Sequence, residues 1–269
     1  MSVSRVPPII TLTTDFGVAD HYVGTMKGVI LSRCPEARLI DISHEIPPFS
    51  IYSGAYTIDQ AAPYFPAGTV HVIVVDPGVG TSRKGLCVEA LDQFFIAPDN
   101  GVLSLLAMRD KSMRARELAN HALWLPAVSS TFHGRDIFAP VAAAIASGSA
   151  QPEDVGPIVS GIELLADLQP RQIEPGVWQA RILSVDRFGN VITNLKASAF
   201  PQVSMSRFAI EAGARSVNTF SKTFGDAARG VCFAFFGSSG YVELGMNQQS
   251  AGDLLGVSAG DSITLRFES

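Results

Sequence analysis

The pattern of apolar residues changes near residue 165 of this 269-residue chain. Before that point, short β-rich runs alternate with segments whose apolar residues recur at helical spacing. Such alternation is typical of an α/β layer built on a mostly parallel sheet. Beyond it, short β-rich runs separated by turn residues predict a smaller all-β, barrel-like domain. We therefore expect an α/β domain over residues 1–165, a linker with two prolines over residues 166–176, and a β-barrel domain over residues 177–269.

Local patterns predict the individual elements. The run HVIVV at residues 71–75 is nearly all β-branched, which is typical of a strand buried on both faces. In the N-terminal part, further strands are predicted over 9–13, 38–42, 86–90 and 94–97, with the last two in a hairpin, and helices over 22–32, 51–62 and 136–147. In the C-terminal part, strands are predicted over 177–185, 191–194, 207–211, 231–236, 241–244 and 262–267.

Charge and composition narrow the possible partners. The net charge is −5 and no basic tract occurs, so we expect no nucleic-acid partner. The most apolar run, residues 138–146, is far shorter than the roughly 20 residues that cross a bilayer, so we expect no membrane association. Cys34, Cys87 and Cys232 are odd in number and widely spaced, which fits neither a disulfide framework nor a zinc pattern. A reducing, cytoplasmic location follows.

Two polar clusters in the N-terminal part follow predicted strands, where α/β sheets place their sites. Asp15 ends the first strand, and its carboxylate could accept hydrogen bonds from a ribose diol. The structural alternative is that Asp15 begins an Asx-turn and Asp20 caps a helix. Asp76 and Arg83 stand at the two ends of a glycine-containing turn, either as functional groups or as a pair that braces the loop. That turn matches neither GxGxxG nor GxxxxGK[ST], so binding of a nucleotide phosphate is poorly supported.

Two further clusters are less specific by themselves. His133 precedes a predicted helix with Asp136 as its N-cap, although a single histidine is usually structural. Phe188 and Asn190 in Asp-Arg-Phe-Gly-Asn could stack on a purine and hydrogen-bond its edge, or could form an ordinary turn. HExxH and CxxC are missing from the sequence, so we expect no metal site.

Together, these clusters resemble a known family. The motifs TTDFG-x-x-D, VVDPGVG-x-x-R, TFHGRD, DRFGN-x-x-TN and GSSGYVE occur in the order found in the SAM hydroxide adenosyltransferases, where SAM is S-adenosyl-L-methionine. This family is similar to the fluorinase and chlorinase, which cleave SAM with halide. The resemblance implies hydrolysis of SAM to adenosine and L-methionine, with SAM as the substrate and no cofactor. It also implies a homotrimer that binds SAM between the N-terminal domain of one subunit and the C-terminal domain of the next.

The resemblance also implies roles for particular residues. Asp15 would bind the ribose hydroxyls, and Asp20 would bind the methionine ammonium. The remaining substrate-binding residues would be Phe49 against the ribose, Phe132, Asp186 with Phe188 and Asn190 near adenine, and Ser238 with Ser239 near the methionine end. The halogenases have an arginine in place of Ser239, and the fluorinase has an adenine-proximal arginine in place of Met246.

Three positions favour water over halide as the nucleophile. The fluorinase has tyrosines at the positions of Asp76 and His133, whereas the hydrolytic members of the family share Asp76, Arg83 and His133. The chlorinase also has a glycine at the position of Gly134, so that residue does not discriminate. We therefore expect Asp76, Arg83 and His133 to be catalytic. The alternatives are a SAM-dependent halogenase and a non-catalytic SAM- or adenosine-binding protein.

These residue types suit an in-line attack of water on the ribose C5′. Methionine leaves as a neutral thioether, so the reaction needs no general acid. Water has a pKa near 15.7 and free histidine about 6.5, so complete proton transfer before attack would cost roughly 12 kcal/mol. The proton must therefore leave while the new bond forms. The sequence leaves open which of the three residues takes it.

Overall fold

The computed structural model describes residues 6–268, which fall into two compact units with the boundary between Leu165 and Ala166. The N-terminal unit is a sheet with helices on both faces, and the C-terminal unit is an antiparallel, nearly closed β-barrel. This architecture confirms the predicted fold class. Within residues 6–268, no helix has both the length and the apolar character needed to span a bilayer. Cys34 and Cys87 are buried and Cys232 is partly buried, and none of the three forms a disulfide within residues 6–268.

The N-terminal sheet has six strands in the order β2-β1-β3-β5-β4-β6. The strands are β1 (Ile9–Thr14), β2 (Arg38–Ser43), β3 (Val70–Val74), β4 (Gly85–Ala90), β5 (Gln93–Pro98) and β6 (Arg114–Glu117). The pairs β1–β2, β1–β3 and β3–β5 are parallel, whereas β4 is antiparallel to both of its neighbours. The sheet thus mixes parallel and antiparallel pairs. The antiparallel part includes the predicted hairpin, which forms between β4 and β5.

Helices cover both faces of this sheet. They are α1 (Tyr22–Arg33), α2 (Ile51–Ala61), α3 (Ser104–Arg109) and α4 (Ala139–Ser147), with a π-helical turn at Gly134–Phe138 immediately before α4. All five residues of β3 are buried, as its β-branched sequence predicts. Val72 packs in a core with α1 and α4, and Ile73 packs in a second core with α2 and α3. Alternate side chains of the central strand thus supply the two cores.

The barrel of the C-terminal unit has strands in the order β11-β10-β14-β8-β9-β13-β12, with β7 also paired to β8. They are β7 (Arg171–Glu174), β8 (Val177–Val185), β9 (Val191–Lys196), β10 (Phe208–Ala212), β11 (Arg215–Val217), β12 (Cys232–Phe236), β13 (Tyr241–Met246) and β14 (Ser262–Phe267), and a short α5 is Ala251–Leu255. A bridge between Phe220 and Ala234 links the chain after β11 to β12, which brings the two ends of the sheet together.

Two local features differ from the sequence-based expectations. The segment 166–176, taken as a linker, contains β7, which pairs with β8 in the barrel. Its prolines lie outside the paired strand, so they do not remove a donor from the ladder. Asp136 does not cap a helix: it lies inside the π-helical turn, fully buried, and its carboxylate accepts hydrogen bonds from the Ser129 N–H at 2.8 Å and from Arg135 Nε at 2.6 Å. Buried charges need such partners, which explains the difference.

Candidate active site

A cleft of about 410 Å³ lies in the N-terminal unit, where the parallel strands β1 and β3 end. It is lined by Asp15, Phe16, Tyr22, Pro48, Phe49, Val74, Asp76, Val79, Thr131, Phe132, His133 and Gly134. Parallel strands place their carboxyl ends at one edge of a sheet, and ligands of α/β proteins bind there. The volume lies in the range of small-molecule sites.

The three predicted catalytic side chains form one hydrogen-bonded cluster. Arg83 donates from Nε to Asp76 Oδ1 at 3.0 Å and from Nη2 to Asp76 Oδ2. The same Nη2 lies 3.2 Å from Nδ1 of His133. The side chains of Arg83 and Asp76 are only 8% and 4% exposed, and the guanidinium lies 5.4 Å from the centre of the Phe138 ring. Two of the three, Asp76 and His133, line the cleft.

This geometry assigns the proton on His133. A guanidinium has only donors, so Nδ1 of His133 must accept from Arg83. A neutral imidazole carries one proton, which must then be on Nε2. For Nε2 to act as a base, the proton would have to move to Nδ1, and the contact with Arg83 would be lost. In this arrangement His133 therefore offers a hydrogen-bond donor and not a base.

A close backbone contact brings the turn of Asp76 and Arg83 to the segment of His133. Gly80 has a φ of +77°, and a β-carbon there would lie 2.1 Å from the carbonyl oxygen of Ser130. Only glycine can adopt this conformation at this distance without moving the neighbouring segment. The glycine that resembled part of a phosphate-binding loop thus serves to bring two polar loops together.

The surroundings shift the pKa values of the cluster in opposite directions. Burial raises the pKa of Asp76, while Arg83 and His133 beside it limit the rise. Burial lowers the pKa of His133, the Arg83 cation lowers it further, and the carboxylates of Asp76 and Asp136 oppose this. His133 is therefore neutral near pH 7, and Asp76 is a stronger base than an exposed aspartate.

Asp15 and Phe49 are joined at a second part of the cleft. Oδ2 of Asp15 accepts a hydrogen bond from the backbone N–H of Phe49 at 2.8 Å. Phe49 has a φ of 66°, which is unusual for a residue with a side chain, and its ring is 71% exposed. Burial raises the pKa of Asp15, while the backbone hydrogen bonds it accepts oppose the rise. Asp15 thus holds an apolar ring at the cleft, and its own side chain also lines the cleft.

Aromatic rings form another part of the lining. Phe132 lies 5.8 Å from Phe16 and 5.2 Å from Tyr22, between ring centres, and both contacts are edge-to-face. The sequence motifs pointed to Phe132 as a binding residue but not to Phe16 or Tyr22, which also line the cleft. A signal was available, because Phe16 follows Asp15 in the same motif and Tyr22 begins α1. Asp20 is exposed and does not line the cleft, so its contact with an ammonium group stays a prediction.

The predicted adenine-binding turn is held by Asp186. Its carboxylate accepts hydrogen bonds from the N–H of Phe188 at 2.9 Å and from the N–H and Nδ2 of Asn190 at 2.8 and 2.9 Å. Phe188 is 80% exposed, whereas Asn190 is buried. Gly189 between them has a φ of +82°, and a β-carbon there would lie 2.2 Å from the Ser250 hydroxyl oxygen. Asp186 therefore fixes the turn and leaves the phenyl ring free to contact a ligand.

The residues predicted near the methionine end have different environments. Ser238 is exposed, whereas the Ser239 hydroxyl donates to Oε1 of Glu243 at 2.7 Å. Glu243 is a buried carboxylate that the sequence alone did not indicate as part of a site, and burial raises its pKa. Met246 packs in the core of the barrel, so it fills the core instead of offering a polar group. Within residues 6–268, no three histidine, cysteine or acidic side chains are grouped so that they could hold a metal ion.

Comparison with known proteins identifies the family. The model of the SAM hydroxide adenosyltransferase N-terminal domain matches residues 10–156, and that of the C-terminal domain matches residues 180–264. The chain belongs to the SAM hydroxide adenosyltransferase family. A relative from Salinispora tropica, named (R)-S-adenosyl-L-methionine hydrolase, is 41% identical over 95% of this chain and 97% of its own length.

More distant relatives of the chain include fluorinases. A fluorinase from Actinoplanes sp. is 27% identical over 96% of this chain and 97% of its own length. A crystal structure of an uncharacterized conserved protein from Thermotoga maritima covers 96% of this chain and 99% of its own chain, with a TM-score of 0.84 and 37% identity. The family resemblance seen in the motifs is thus confirmed.

Replacement of Asp15 tests the ribose contact. We expect Asp15→Ala to weaken adenosine binding about ten- to a hundredfold, because hydrogen bonds to charged groups contribute about 1.5–3 kcal/mol. Asp15→Asn is the matched control, since its amide oxygen can still accept from the Phe49 N–H, and it should lose less affinity than Asp15→Ala. Calorimetry with adenosine measures both. Unchanged affinity in Asp15→Ala would remove this carboxylate from the ligand site.

Proposed function

We propose that this protein hydrolyses SAM to adenosine and L-methionine, and that its substrate has the R configuration at the sulfonium sulfur. The observation that carries the proposal is the hydrogen-bonded cluster of Asp76, Arg83 and His133 beside the cleft. Relatives named (R)-S-adenosyl-L-methionine hydrolase support both the reaction and the epimer.

The proposed step is a direct displacement at C5′ of the ribose. The oxygen of water forms a bond to C5′ while the bond between C5′ and sulfur breaks, and the electron pair of that bond stays on sulfur. The sulfonium charge disappears, and methionine leaves as a neutral thioether. As the oxygen bonds to carbon it becomes strongly acidic, so a carboxylate of ordinary basicity can take its proton during the attack.

Asp76 is the proton acceptor in this proposal. Its two oxygens each accept one N–H from Arg83, and a carboxylate has about four acceptor positions, so capacity for water remains. Burial raises its pKa, which makes it a better base. Arg83 keeps Asp76 in place, and His133 donates from Nε2 to the water oxygen, so that the nucleophile is oriented between a donor and an acceptor.

The origin of the entering oxygen tests the reaction class. In ¹⁸O-labelled water, we expect the label in the 5′-hydroxyl of adenosine and none in methionine. The same reaction in the presence of fluoride or chloride should still yield adenosine, because Asp76 and His133 occupy the positions at which the fluorinase has tyrosines. Formation of 5′-halo-5′-deoxyadenosine would instead indicate a halogenase, and binding of SAM without any product would indicate a non-catalytic binding protein.

Variants of His133 test the division of roles. We expect His133→Ala to lower kcat roughly 10²-fold, because the attacking water would lose the donor that orients it, and misplacement of a reacting group by about 1 Å can cost that much. His133→Gln offers an N–H near the position of Nε2 and should stay within about tenfold of the unaltered enzyme, whereas His133→Asn is too short and should resemble alanine. KM should change little in all three. If glutamine is as slow as alanine, Nε2 is the base and the assignment to Asp76 is wrong.

We also propose that the active form is a homotrimer, as the family resemblance implies. Light scattering during size-exclusion chromatography should give three times the 28.6 kDa mass of the chain. A monomer with full turnover would contradict this. The cytoplasmic location expected from the cysteines stays a prediction.

A further inference from the structure

The loop that follows β1 is tied to the segment after β2 by side-chain and backbone contacts. Nδ1 of His44 lies 2.9 Å from the Thr14 hydroxyl oxygen. Two backbone hydrogen bonds accompany this contact, from the Gly17 N–H to the His44 carbonyl at 2.7 Å and from the Ile46 N–H to the Thr14 carbonyl at 3.4 Å. Thr14 and His44 are 0% and 6% exposed. The conformation of the first residues after β1 therefore depends on the buried polar contact between Thr14 and His44.

The direction of the contacts can be assigned. Nε2 of His44 lies 3.0 Å from Oδ1 of Asp41, whose other oxygen is 2.6 Å from Nζ of Lys27. The contact with Asp41 is within ion-pair distance. A carboxylate only accepts, so it favours the imidazole proton on Nε2, and Nδ1 is left to accept from the Thr14 hydroxyl.

The Thr14 hydroxyl thereby serves two partners. It donates to His44, and its oxygen accepts from the Phe16 N–H at 3.3 Å. The arrangement of carboxylate, imidazole and hydroxyl is the order found in nucleophilic triads. Thr14 is nevertheless fully buried and does not line the cleft, so its oxygen cannot reach a substrate. The contacts must act on the conformation of the loop instead.

We propose that Thr14 and His44 are positioning residues that hold Asp15 and Phe16 in the cleft. The inference rests on the proposed function, in which Asp15 binds the ribose hydroxyls. Oδ2 of Asp15 is already used by the Phe49 N–H, so the direction of Oδ1 depends on the backbone at residues 14–17. Without the Thr14 hydroxyl, the Phe16 N–H loses its acceptor and His44 loses its donor, and the loop can leave this conformation.

The chain offers a matched control beside Thr14. Thr13 is the preceding residue of β1, is also fully buried, and its hydroxyl has no hydrogen-bond partner in the part of the chain that the structure describes. Both substitutions, Thr14→Val and Thr13→Val, replace a hydroxyl by a methyl group and leave the side-chain volume nearly constant. Thr14→Ser keeps the hydroxyl and removes only the methyl group.

The experiment compares adenosine affinity, KM, kcat and thermal unfolding in the three variants. We expect Thr14→Val to weaken adenosine binding and raise KM about five- to a hundredfold, because the Phe16 N–H would lose the Thr14 hydroxyl as its acceptor. kcat at saturating SAM should change less, because Asp76, Arg83 and His133 lie on other loops. Thr13→Val should stay within about twofold of the unaltered protein, and Thr14→Ser should recover most of the affinity.

Each other outcome has a distinct meaning. If Thr14→Val lowers the unfolding temperature but binds adenosine normally, the contact only stabilises the fold and the proposal is wrong. If Thr13→Val weakens binding as much as Thr14→Val, the hydrogen bonds of Thr14 are not the cause, and the proposal also fails. If Asp15→Ala binds adenosine normally, the proposed ribose contact itself is refuted, independently of Thr14.

Discussion

The buried contact between the Arg83 guanidinium and the Asp76 carboxylate is the interaction on which the proposed active site depends. Two charges with so little exposure are stable only as a well-formed pair, and removal of one partner typically costs about 3–5 kcal/mol. The pair also determines which ring nitrogen of His133, the third residue of the cluster, carries the proton. Because Arg83 can only donate, it fixes the tautomer of His133 and with it the kind of hydrogen bond that His133 can offer to water.

This cluster exists because two loops are held together at the carboxyl edge of a parallel strand pair. Asp76 follows β3, a strand that is buried on both of its faces. Gly80 then allows the turn to approach the backbone of Ser130, which places His133 beside Arg83. On the other side of the cleft, Thr14 and His44 fix the loop of Asp15. Groups that need accurate placement are thus supported by buried neighbours and not by the loops alone.

The comparison with the halogenases shows how one fold can use different nucleophiles. The chain is related to a fluorinase over nearly its whole length, so the framework and the leaving group can be shared. Halide arrives as an anion and needs only a desolvated site. Water must lose a proton during the attack, and in the proposed mechanism the aspartate at this site accepts it, while the arginine holds the aspartate and the histidine orients the water.

The sequence by itself determined the fold class, the strand buried on both faces, and the identity of the three clustered residues, because these depend on local periodicity and on residue types in a recognisable order. The tertiary structure alone showed that His133 offers Nε2–H, that Met246 fills the barrel core, that Asp136 is buried within a π-helical turn, and that the segment 166–176 contributes a strand. Each of these depends on partners far away along the chain. A local pattern cannot specify which distant donor meets a nitrogen or which neighbouring strand accepts a segment, since those contacts form only when the chain packs.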